Sequence, residues 1–178
     1  MIIKTKYFTI RPELLIAALV SAALAVHVLE AALPMPGPWF KPGLANIFVL
    51  VAFFHLGWRK AALVALLRVV LGGLLLGTFL SPTFMLSLAG TLSALLALAL
   101  VRWLPIGPVG ASVLASLAHL SGQFIVAAWV LIGHMGLLSA LPWFLAGAWI
   151  TGLINGVIAF LILDRLSQWL PRPVEQPS

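Results

Sequence analysis

The sequence predicts an all-α, polytopic membrane protein with six transmembrane helices, five being the alternative count. Apolar residues make up 63% of the chain and charged residues only 8%. A soluble domain carries about 25% charged residues, so this chain has too few to cover a water-facing surface. The apolar residues also fall into runs of about 17–25, the length that crosses about 30 Å of hydrocarbon as helix. The formal charge of +6 does not point to nucleic acid, because the basic residues stand at the ends of these runs and not on one patch. There is no cysteine, which excludes disulfides and thiolate metal sites.

The first run, residues 14–33, follows Lys4, Lys6 and Arg11. It has the look of a signal peptide, but no soluble domain follows a plausible cleavage site, so it reads as a retained helix. The second, 44–58, is short and either tilts little or joins a re-entrant entry segment. The third is 61–80, with Arg68 inside it, and the fourth 83–103. The fifth is 109–133 and the sixth 141–163. Residues 1–170 form a single transmembrane domain, and 171–178 read as a short disordered cytoplasmic tail.

Six spans place Lys4, Lys6, Arg11, Arg59, Lys60, Arg102, Arg165 and Arg172 on one side, with only Lys41 on the other. By the positive-inside rule both termini are then cytoplasmic, and the Pro-rich loop 34–43 faces outward. Five spans would scatter these charges. Trp39, Trp58, Trp103, Trp143 and Trp169 lie near span ends, as an interfacial aromatic belt requires. Small residues four apart mark close-packing faces: Ala17, Ser21 and Ala25 on the first helix, Gly73 and Gly77 on the third, and Ala148, Gly152 and Gly156 on the sixth. Such a face serves internal packing or the docking of a partner subunit.

Ionisable and amide side chains inside lipid mark a functional site or a structural clasp. At 1.5 Å of rise per residue, His27 and Glu30 lie about 20 and 24 Å up the first helix, and His119 and Gln123 about 15 and 21 Å up the fifth. Each pair shares a helix face. With Lys41 and Asn46 they form an outer cluster, the expected ligand site, and the Pro-rich loop is its lid or simply a tight turn. Arg68 and Asn155 form a second, structural level about 10–12 Å from the cytoplasmic end, too deep to meet Glu30 across about 13 Å. His55 and His134 lie near span ends and read as interfacial. His27, Glu30 and His119 are chemically able to hold a transition metal, but no metal, cofactor or catalytic residue is assigned. The chain has one Asp, Asp164, where prenyl transfer with metal-bound diphosphate needs clustered aspartates. Walker-type phosphate cradles and hydrolase or zincin motifs are absent.

The segments HVLEAALP, PGPWFKPGLANI, SPTFMLSLAG, GASVLASLAHLSGQ and LPWFLAGAWITGL, with Arg68 on the third helix, resemble the integral-membrane family called heptaprenyl diphosphate synthase component I, also labelled Gx transporter. The chain departs from it at Leu120, where that family is expected to favour Asn. The family is similar in turn to the S components of energy-coupling factor transporters. That likeness implies a six-helix bundle that binds a small ligand near the outer face of a bacterial-type inner membrane. It also implies a transmembrane coupling subunit, met through Ala17, Ser21 and Ala25, and an ATPase module. The synthase name implies instead a membrane subunit supporting heptaprenyl diphosphate synthesis for menaquinone, and the residues do not support catalysis by this chain alone.

Overall fold

The computed structural model describes residues 11–33 and 43–169, all of them in helices and connecting turns. Among the described residues six α-helices follow in order: α1 Pro12–Ala32, α2 Asn46–Leu56, α3 Trp58–Leu75, α4 Pro82–Val101, α5 Pro108–Val126 and α6 Leu141–Trp169. Proline at the first helical turn starts α1, α4 and α5, where its missing N–H costs nothing. Ser81 caps α4 by accepting a hydrogen bond from the Phe84 amide. Gly57, at φ 90°, reverses the chain between α2 and α3 in a conformation that only glycine adopts readily.

Among the described residues, four stretches are long and apolar enough to cross a membrane: Pro12–Ala32, Pro82–Val101, Pro108–Ile132 and Met135–Gln168. The third of these is α5 prolonged by a π-helical turn, Ala127–Ile132. The fourth joins the 3-10 turn Met135–Ala140 to α6, and α6 continues past the expected end at residue 163. Helix α3 has 18 residues and carries Arg59, Lys60 and Arg68. It ends at Leu75, short of the expected residue 80, so Gly77 (φ 65°) lies in a turn and does not extend a helix face from Gly73. The expected second span is corrected most. Helix α2 has 11 residues, about 16 Å of helix, or half of a hydrocarbon core.

That half-length helix sits in the middle. It packs against α1, α3, α5 and α6, and nearly all of it from Ile47 to His55 is buried. His55, expected at the interface, is among these buried residues. Around α2, helices α4, α5 and α6 form a row held at close range by glycines. Gly122 faces Ser93, Gly152 faces Val113 and Ser116, and Gly156 faces Val109 and Ser112. The small residues of α6 are thus used inside the bundle. Those of α1 are not, since Ala17, Ser21 and Ala25 are all exposed. The outer surface is apolar, with Trp103, Trp143 and Leu75 among its most exposed side chains. Trp58 departs from the expected belt: it is half-buried, and its indole N–H donates to the Leu95 carbonyl.

Candidate polar site at the start of the half-length helix

Three helices spend polar side chains on the turn that opens α2, and a fourth joins them through Arg68. Gly43 adopts φ 67°, which lets the chain enter the turn 43–46. From α1, the Glu30 carboxyl oxygen Oε1 accepts from the Leu44 amide at 2.7 Å. From α3, Arg68 Nη1 donates to Asn46 Oδ1 at 2.8 Å. The same guanidinium donates through Nη2 to Thr91 Oγ1 of α4 at 3.3 Å. From α6, Asn155 Nδ2 donates to the Gly43 carbonyl at 3.3 Å. Glu30, Arg68, Thr91 and Asn155 are all buried.

Depth explains the convergence. Asn46 stands ten residues before Leu56 in α2 and Arg68 ten residues after Trp58 in α3. Both therefore lie about 15 Å from the Gly57 turn. Thr91 is ten residues before Val101 at the end of α4, and Asn155 ten before Arg165 on α6, which gives about the same height. Glu30 and Asn46 of the expected outer level thus share one layer with Arg68 and Asn155 of the expected inner one. Arg68 bonds Asn46, not Asn155, because α2 starts halfway through the bundle and brings Asn46 down to it. The attraction between Glu30 and Arg68 acts across the same layer.

Both histidines are seated on glycines. A Cβ at Gly72 would come within 2.7 Å of the His27 ring, and one at Gly90 within 2.6 Å of the His119 ring. His119 hydrogen-bonds the Gly90 backbone and leaves Nδ1 buried without a hydrogen bond. Gln123 is half-buried one turn further along α5 and makes no hydrogen bond to this layer among the described residues. Lys41, the proposed lid residue, lies outside the described residues, as do Trp39 and the tail 171–178. Among the described residues no three of His, Asp and Glu come close enough to hold a metal ion, so His27, Glu30 and His119 are not gathered as ligands.

Beside the layer, between α2, α3, α4 and α5, lies a cavity of about 20 Å³ lined by Asn46, Thr91, Ser112, Ser116, Leu50 and Leu98. That is room for about one water, far below the roughly 300–1,000 Å³ of a pocket that encloses a metabolite. Thr91, Ser112 and Ser116 were not read as site residues from the sequence. Thr91 was accessible to the depth argument applied to Arg68, but a lone hydroxyl in an apolar helix gives no reason to look, since it can bond its own helix backbone.

An all-helical bundle with apolar membrane-length helices and a buried charged layer defines a polytopic membrane protein with a polar centre. Residues 19–162 match the family model of heptaprenyl diphosphate synthase component I, and the chain belongs to that family, the one its motifs resemble. No curated protein and no solved structure matches the chain.

Proposed function

We propose that the chain is a membrane-embedded, substrate-binding subunit of a small-molecule transporter, with its ligand site built on the start of α2. The observation that carries this is a helix beginning at mid-bundle with buried Glu30 and Arg68 gathered around its first turn. Interrupted helices of this kind are where membrane transporters bind substrates and coupling ions. Charged side chains at such depth are costly, and they mark pathways and binding sites more than packing. In this reading six segments span a bacterial-type inner membrane with both termini cytoplasmic. The ligand enters from the outer side, over His27, Glu30, Asn46, His119 and Gln123, with Lys41 in the covering loop. The exposed Ala17, Ser21 and Ala25 face of α1 would meet a transmembrane coupling subunit, to which an ATPase module supplies energy, as in the S-component arrangement.

The family match favours a second reading, a non-catalytic membrane subunit associated with heptaprenyl diphosphate synthesis. Uptake into cells or proteoliposomes separates the two. The transport reading expects uptake that is lost in Glu30→Gln and His119→Ala. Uptake unchanged in both variants would remove the site, and prenyl-chain synthesis that depends on the chain, without uptake, would favour the second reading.

A further inference from the structure

Charge outside the polar layer is balanced on α1 and α6 and unbalanced on α3 and α4. Arg11 stands two residues from Glu13, and Arg165 is next to Asp164. Arg59 and Lys60 at the start of α3 and Arg102 at the end of α4 have no such neighbours, because residues 31–163 contain no Asp or Glu. The first turn of α3 has no acidic residue, and the dipole of a helix disfavours positive charge at that end. Arg102 is exposed, and its guanidinium lies over the Trp103 ring, 4.5 Å from the centroid. Trp103 is itself 75% exposed. A guanidinium stacked in this way keeps its edge of N–H donors for a phosphate.

The three cations border one end of the α3–α4 pair. Trp58 opens α3, and its indole N–H donates to the Leu95 carbonyl of α4 at 3.1 Å. Arg102 follows Leu95 by seven residues, two turns on and on the same helix face. Apolar surface runs on from the charges. Leu63 and Leu66 stand on the same face of α3 as Arg59, and all three are exposed. Leu96 and Leu100 on α4, with Trp103 just past it, repeat that spacing, and the two leucines are 65% and 63% exposed. Cations at the head of an apolar stripe match the two halves of a lipid molecule, a charged group and its acyl chains.

We propose that this end of the α3–α4 pair binds an anionic phospholipid, with Arg59, Lys60 and Arg102 at its phosphodiester headgroup and the leucine stripes along its acyl chains. Trp103 holds the Arg102 guanidinium in place and sits at the boundary between headgroup and chains, where indole rings are favoured. A zwitterionic lipid binds less well, because its ammonium group meets the same three cations. A water-soluble acidic partner accounts for the cations but not for the apolar stripes continuous with them. The inference is independent of the transport reading, since it uses neither the polar layer nor the open face of α1.

The test is mass spectrometry of the intact full chain released from micelles that contain equal amounts of phosphatidylglycerol and phosphatidylcholine. The wild type should retain phosphatidylglycerol over phosphatidylcholine by at least about tenfold. Arg102→Gln should lower that preference by about fivefold, the contribution of one basic side chain at an anionic lipid surface. Trp103→Leu keeps an apolar side chain but removes the stacking, and should lower it by roughly two- to fivefold. The triple variant Arg59→Gln, Lys60→Gln, Arg102→Gln should abolish it; if the triple variant does not fold, the two single variants decide. Arg11→Gln with Arg165→Gln removes charge from α1 and α6 instead and should change the preference by less than about twofold. Equal retention of both lipids by the wild type overturns the proposal. So does a loss in the Arg11, Arg165 variant as large as that in Arg102→Gln, which is a general attraction of basic protein for anionic lipid. An acidic protein that co-purifies with the wild type and is lost in Arg102→Gln, with no lipid preference, assigns the surface to a protein partner and overturns the lipid.

Discussion

Gly156 and Gly147 lie on the same helix, and the structure predicts opposite outcomes for the same substitution at each. A Cβ at Gly156 would lie 2.7 Å from Val109 Cα, 2.9 Å from Ser112 Cβ and 3.1 Å from the Val109 carbonyl oxygen. Ordinary contact begins near 3.4 Å, so α5 and α6 must part by 0.7 Å (3.4 less 2.7). Two of the three obstructing atoms are backbone and have no rotamer to change. Overpacking of this kind costs about 1–3 kcal/mol. At Gly147 nothing lies within 4 Å of the added carbon, and replacing a mid-helix glycine by alanine gains up to about 1 kcal/mol. Unfolding of each variant by sodium dodecyl sulfate in mixed micelles, followed by tryptophan fluorescence, should therefore separate Gly156→Ala from Gly147→Ala by roughly 1–4 kcal/mol. Gly156 also neighbours Asn155, so the first variant should loosen the hold on Gly43. Equal stabilities for the two variants, or a less stable Gly147→Ala, would refute the α5–α6 packing described.

Glu30→Gln keeps an oxygen acceptor for the Leu44 amide and should stay within about 1 kcal/mol of wild type, whereas Glu30→Ala leaves that amide without it and should cost about 1–3 kcal/mol in the same unfolding assay. Thr91→Val removes the acceptor of Arg68 Nη2 at nearly constant volume and should cost about 1–3 kcal/mol, with Thr91→Ser largely restoring stability. Ser21→Trp, on the exposed face of α1, should leave unfolding unchanged within about 0.5 kcal/mol, while abolishing co-purification of any coupling subunit. Retained co-purification would move the docking face elsewhere.

Helices α1, α4, α5 and α6 were legible because unbroken apolar runs of membrane length admit few other structures. The basic residues at run ends marked the turns at Gly57 and near Arg102 for the same reason. The depth at which α2 begins was not legible. The Pro-rich stretch before it and the apolar stretch after it suit a full span and a half span equally well. That uncertainty carried straight into the site. With α2 drawn to the outer face, Asn46 stood with Glu30 while Arg68 and Asn155 stood below; with α2 begun at Asn46, all four meet at one turn. The pairing of His27 with Gly72, and of His119 with Gly90, depends on how neighbouring helices face one another, which helical periodicity does not report. The open face of α1 and the internal use of Gly152 and Gly156 looked alike in sequence, because the spacing of small residues shows that a close contact is possible and not which helix makes it.

The central claim is that the layer around Asn46 holds a ligand. Mass spectrometry of the intact protein released from detergent, purified from its native membrane, tests this directly. A small molecule bound at one per chain, lost in Asn46→Ala while the variant remains folded, is the predicted result. A folded wild type that carries no small molecule, or a variant that retains the same molecule at the same occupancy, would contradict it.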